Sequence, residues 1–221
     1  MNMRVATTLA LCALVAACGR DGNPAASFET RCATLPRPRF DVVVAPVSFV
    51  QDESRPSAEL TAMSGSALTA QRTTGVTTAV FGQSTDIELS PVDDHDGARG
   101  CGTPRVRVEL SMQPMTVFIA SELAETPCLR EATLSHEIRH VEVFRAVLED
   151  AARALERELP GAVGAEPGRA KRPEELEQRL ILALRSYLPQ FMADWQRVLD
   201  QRQAGVDSPE EYARVSAAFA G

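Results

Sequence analysis

Hydrophobic and polar positions change their spacing about halfway along the chain. Between Phe40 and Ala120 the apolar runs are short and rich in β-branched residues, with proline and glycine between them. Phe40-Asp41-Val42-Val43-Val44, Val47 to Val50 and Thr77 to Phe81 each predict a strand. Arg105 to Leu110 alternates at period two, as a strand with one buried face must, and Met115 to Ala120 predicts an apolar strand. From Leu129 the period lengthens to three and four. Leu134, Ile138, Val141, Leu148 and Leu155 fall on one side of a helix predicted over 129–159, stopped by Pro160-Gly161. A second helix opens at Pro173-Glu174-Glu175, with proline in the first turn and acids at the positive end of the dipole. It is expected to run to about Gln203, lined by Leu180, Leu184, Leu188, Phe191, Trp195 and Leu199, with Pro189 expected to kink it. Asp207 and Glu210 have capping-box spacing for a short third helix. The layout is α+β: a β-rich half, residues 39–125, packed on a long helical hairpin within residues 129–221, the whole of 39–221 forming one domain.

The residues ahead of this domain read differently. Arg4 followed by the apolar run Val5 to Ala17 is too short to span a bilayer and fits a targeting segment. It ends in Leu14-Val15-Ala16-Ala17-Cys18, which resembles the lipobox of bacterial lipoproteins. The resemblance implies a signal peptide with its lipobox over residues 1–18, cut just before Cys18, which carries the lipid as the first mature residue; it also implies an exported location (periplasmic, outer-membrane or secreted) and contact with the membrane only through that anchor. Residues 19–38 are polar, with Pro, Gly and Ser, and read as a tether. Five cysteines fit an oxidising compartment. With Cys12 and Cys18 assigned to the leader and the anchor, Cys32, Cys101 and Cys128 leave one disulfide and one thiol. Cys101 with Cys128 is the pairing favoured here, and Cys32 with either is nearly as good. Their spacing does not suit a compact cysteine zinc site.

At 221 residues, with 44% hydrophobic and 24% charged, the chain is long enough to bury a real core. The formal net charge of -7 and the lack of a basic patch with interleaved aromatics argue against nucleic acid as a partner. Arg169, Lys171 and Arg172 fall in a linker and read as solvated.

The chemistry lies in His136-Glu137-Ile138-Arg139-His140. Two histidines four apart on a helix share one face, and their neutral nitrogens can bind one zinc ion. Glu137 sits about 100° round the axis from His136, too far round to be an easy ligand but well placed to take a proton from a water. This division of labour suits metal-assisted hydrolysis. Two of the three histidines in the chain fall inside the motif. The pattern is the HExxH signature of zincin metallopeptidases, and the stretch from Cys128 through Leu155 looks loosely like a family of exported bacterial proteins regarded as zinc-dependent proteases. The resemblance implies a zincin-like fold, with His136 and His140 as zinc ligands and Glu137 as the base. It also implies a peptide or protein substrate lying along an edge strand at Thr116 to Ala120. The charged Arg139 and Glu142 depart from the pattern, and no metzincin continuation follows.

A catalytic zinc takes three protein ligands and a water. Glu158 is about 27 Å from His140 along the same helix and cannot reach it. Folding the two helices as an antiparallel hairpin from Leu159 and Pro173 sets His140 and His136 opposite Met192 and Gln196. Asp194 is thus the first candidate for the third ligand. Glu174, Glu177, Asp207 and His95 are the alternatives, Asp207 having a sufficient role as a cap and His95 lying in an acidic turn. Tyr187, Tyr212 and Ser135 receive no catalytic role. Zinc-dependent peptide-bond hydrolysis in the cell envelope or outside the cell is the expectation. The rival is a non-enzymatic envelope lipoprotein whose zinc is structural or binds a partner.

Overall fold

Among the described residues, every other strand pairs with one long central strand. The computed structural model describes residues 26–64, 72–94, 96–211 and 213. The leader, the lipobox with Cys18, and His95 and Tyr212 lie outside these residues. The elements are α1 (Phe28–Ala33), β1 (Arg39–Val44), β2 (Val50–Asp52), α2 (Ser57–Met63), β3 (Gly75–Asp93), β4 (Gly100–Ile119), a 3-10 turn (Ser121–Glu125), α3 (Pro127–Val163), β5 (Gly168–Ala170) and α4 (Pro173–Val206). This is a mixed α+β architecture with one mixed sheet and a long helical hairpin at its C-terminal end.

The strands predicted at Arg105 to Leu110 and Met115 to Ala120 belong to one 20-residue strand, β4, and Thr77 to Phe81 opens a 19-residue strand, β3. Pro114 was a turn signal in the sequence, yet it falls where no partner needs its missing N–H. On one side β3 changes register between Ala79 and Phe81, opposite Met115 and Met112. On the other, β1 stops pairing at Leu110 and β2 begins at Thr116. A bulge and a gap between partners are where a sheet tolerates proline.

This pairing overturns the edge-strand expectation for Thr116 to Ala120. Thr116, Val117 and Phe118 are flanked by β2 on one side and by Val76–Thr78 of β3 on the other. The strand with an outer edge on this side is β3, which pairs with β4 alone among the described residues.

One face of β4 carries Val106, Val108, Leu110, Met112, Val117 and Ile119, all buried. They pack on Val141, Phe144, Val147, Leu148, Ala151 and Leu155 of α3 and on Leu180, Leu184, Leu188, Phe191 and Leu199 of α4. Burial of this apolar surface at about 25 cal/mol per Å² is the main term favouring the fold.

The helices outrun their proline signals. Pro160 lies inside α3, in its final turn, where the loss of one N–H matters least. The helix stops instead at Gly164, whose φ of 112° is open to glycine and strained for other residues. Pro189 lies inside α4 on its exposed side, where water can hydrate the carbonyl it leaves without a donor. The connection then pairs with β4 as β5. The start of α4 lies over that strand, so close that a Cβ on Gly168 would come within 2.8 Å of Leu176.

The disulfide joins Cys32 to Cys101, not Cys101 to Cys128, and Cys128 is an exposed free thiol. Cys101 is at the first turn of pairing of β4, whereas α3 follows the far end of that strand. Eighteen residues of extended chain separate the two ends by roughly 60 Å. Cys32 reaches Cys101 because residues 28–33, expected within a tether, form α1, which buries Phe28 and Cys32 against that end of the sheet.

Candidate metal centre

The apolar face of α3 gives way toward its N-terminus to four buried polar residues, Thr133, His136, Glu137 and His140. His136 is 7% exposed, Glu137 3% and His140 9%. Two solvated histidines on a charged surface helix would not be covered in this way. Buried polar groups of this kind require partners, and three elements supply them.

The first is the last turn of α4. The side-chain oxygen of Gln203 accepts from Nδ1 of His140 at 2.5 Å, and its Nε2 donates to the His140 carbonyl at 3.2 Å. Donating from Nδ1 places the proton of the neutral His140 ring there and leaves the Nε2 lone pair directed into the site. One turn further on, Asp207 caps the C-terminus of α4. Its Oδ1 lies 3.3 Å from Nε2 of His136 and 3.3 Å from Nε2 of His140. The two Nε2 atoms are themselves 3.3 Å apart.

This triangle tests whether a metal fits. Tetrahedral bonds of about 2.0–2.1 Å to nitrogen and oxygen set neighbouring ligand atoms roughly 3.3–3.4 Å apart, the spacing of all three pairs. The atoms are also of kinds that bind metal, a carboxylate oxygen and two imidazole nitrogens. Acceptors crowded together repel unless a proton or a cation lies among them. Hence His136, His140 and Asp207 form a group able to hold a metal ion. Burial works against a charged His140, but Asp207 and Gln203 outweigh it and hold its pKa above the ordinary imidazole value.

The second element is the start of β3. Thr77 Oγ1 donates to Oε2 of Glu137 at 2.7 Å and lies 3.3 Å from the Glu137 carbonyl. Burial raises the Glu137 pKa above the usual carboxylate value, and neither Thr77 nor the neighbouring imidazoles cancels the rise. Gly75 is what lets β3 come this close. A Cβ there would stand 2.5 Å from Glu137 Oε1 and 2.7 Å from Thr133 Cγ2.

The third element is the segment after α4, where Ser208 Oγ accepts from the Glu211 N–H at 3.3 Å. The capping role expected of Asp207 thus belongs to Ser208. Glu211 also forms an ion pair with Arg139.

Asp194, the first-named third ligand, does not join this group. It is half-buried on α4 and bound to Gln190 and Arg197. The residues that do face the histidines, Gln203 and Asp207, lie eleven positions further on than Met192 and Gln196. The reason is the hairpin register: α3 does not turn back at Leu159, and the connection pairs as β5 before α4 begins. Glu158 meets Tyr187, whose hydroxyl donates to it at 2.7 Å. Sequence reasoning missed Gln203, Thr77 and Gly75. The one available signal was that Gln203 and Asp207 repeat the four-residue spacing of the histidines. Comparison with protein-family models, curated proteins and solved structures finds no match to this chain.

Proposed function

We propose that the chain is a zinc-dependent peptidase of zincin type, with His136, His140 and Asp207 as metal ligands and Glu137 as general base. The observation that carries this reading is the triangle of three possible ligand atoms at 3.3 Å beside a buried carboxylate that is not one of them. A zinc ion held by these three residues supplies a Lewis acid and a water of lowered pKa. Glu137, held by Thr77, takes the proton of the attacking water and returns it to the leaving amine. Burial raises its pKa above the ordinary carboxylate value, which makes it a stronger base than a solvated carboxylate. The outer edge of β3 at Gly75–Thr77 runs beside Glu137, and an extended peptide adding to it brings a carbonyl toward the site. A purely structural zinc takes four protein ligands, whereas among the described residues three of the usual ligand types converge.

The site of action is proposed to be the cell envelope, with the chain anchored through lipid on Cys18. The Cys32–Cys101 disulfide supports export, because such bonds persist in oxidising compartments. Loss of palmitate labelling in Cys18→Ser is the expected check.

The decisive experiment pairs metal analysis with hydrolysis of unfolded casein by the purified full chain. One zinc per chain is expected in the parent and in Glu137→Gln, and none in His136→Ala/His140→Ala. Casein cleavage is expected from the parent alone. Equal cleavage by parent and Glu137→Gln excludes the mechanism.

A further inference from the structure

Arg139 is the one residue between the two histidines whose charge the chemistry above does not use. Its guanidinium Nη1 pairs with Oε1 of Glu211; the Arg139 side chain is 36% exposed and that of Glu211 only 11%. Glu211 comes four residues after Asp207, in the helical turn opened by Ser208. The side chain of Asp207 is 45% exposed, so close packing around its carboxylate does not fix it. The backbone to either side helps set its position. Upstream, Gln203 grips His140 through both the ring and the carbonyl. Downstream, the Arg139–Glu211 pair brings the chain back to α3, at a residue adjacent to His140.

We propose that Arg139 and Glu211 are positioning residues, a latch that sets the affinity of the site for its metal by holding Asp207 against the two imidazoles. The inference rests on the zinc reading given above. With Arg139 at its outer side, this partly exposed ion pair contributes modestly to the stability of the fold. The latch acts differently, by pre-organising a ligand so that less ordering is left to do when the ion binds. It also accounts for a charged residue in a motif position where the chemistry needs none.

The test uses the full chain and zinc itself, with affinity read by competition against a colorimetric zinc chelator. Arg139→Ala and Glu211→Gln are each expected to weaken zinc binding by roughly 10- to 100-fold, the usual effect of losing a group that orients a ligand. Melting of the metal-free protein is expected to stay at the parent temperature. The exchanged pair Arg139→Glu/Glu211→Arg is expected to recover most of the affinity. In an Asp207→Ala background, Arg139→Ala is expected to cost nothing more. The latch is overturned if Asp207→Ala weakens zinc binding while Arg139→Ala and Glu211→Gln bind like the parent. It is equally overturned if Arg139→Ala costs as much without Asp207 as with it. Zinc binding indifferent to Asp207 removes the three-ligand site itself, and the latch with it.

Discussion

Gly75→Ala probes the closest approach in the candidate site. Gly75 does not have the positive φ that would itself demand glycine, so backbone strain is not at issue and only space forbids a side chain. The added Cβ would meet Glu137 Oε1 at 2.5 Å, Thr133 Cγ2 at 2.7 Å and Glu137 Cγ at 2.8 Å. Carbon contacts settle near 3.5–4.0 Å, so β3 and α3 must part by roughly 0.8 Å. Neither neighbour yields easily. Thr133 is β-branched and stiff about χ1, and the Glu137 carboxylate is held by Thr77. Overpacking of this kind costs about 1–3 kcal/mol, or roughly 2–12 °C in Tm for a domain of this size. A base displaced by nearly 1 Å loses on the order of 100-fold in kcat/KM. The metal ligands lie on α3 and at the end of α4, so the rise in Tm on adding zinc is expected to match that of the parent. Thermal melts with EDTA and with zinc, alongside casein hydrolysis, measure all three effects. Gly161→Ala is the control: nothing lies within 4 Å of its Cβ, and alanine inside a helix is expected to stabilise by about 0.5–1 kcal/mol. A Gly75→Ala protein that melts and cleaves like the parent refutes the reasoning.

Three further outcomes are expected. In metal-free protein Glu137→Gln is expected to melt higher than the parent at neutral pH. Burial raises the folded pKa of Glu137, so the parent loses stability as pH climbs from the ordinary carboxylate range through that raised value, whereas glutamine does not ionise; melts in EDTA across pH 4–8 that show no widening gap exclude this. Asp194→Ala is expected to leave zinc affinity unchanged, since among the described residues Asp194 engages its neighbours on α4, and a tenfold loss in chelator competition returns it to the ligand set. Cys32→Ser opens a link of 69 residues and is expected to cost about 2–4 kcal/mol in denaturant unfolding without altering zinc affinity, because α1 sits at the end of β4 away from the metal group.

The class of the fold was legible because two spacings carry it. Arg105 to Leu110 alternates and sets its apolar residues on the core face of β4, while Val141, Leu148 and Leu155 recur at helical intervals and enter the core from α3. Punctuation was less reliable. Pro114, Pro160 and Pro189 each read as a break and each lies inside an element. A proline interrupts a helix or strand only where its missing N–H or its ring meets a demand from a partner, and that demand is set by tertiary neighbours. The disulfide was lost for a related reason. With β4 read as two strands, Cys101 and the start of α3 seem near each other, whereas a single strand carries them to opposite ends.

The site divides along the same line between local and distant information. His136, Glu137 and His140 lie within one and a half turns of a single helix, so their relation to one another follows from helical geometry alone. What faces them depends on the alignment of two helices over more than thirty residues each, and a displacement of three turns exchanges one acid for another. Asp194 lies on α4 and Asp207 caps its end, and the sequence offers nothing local to tell the two aspartates apart. The difference lies in what comes one turn before. Gln203 precedes Asp207 and binds the His140 ring and carbonyl together, so the turn that delivers the carboxylate also fixes the imidazole that would share a metal with it. Asp194 is preceded by Gln190, which bonds to Asp194 itself. A ligand to a shared ion needs a neighbour that reaches across to the other helix, and only the later aspartate of this pair has one.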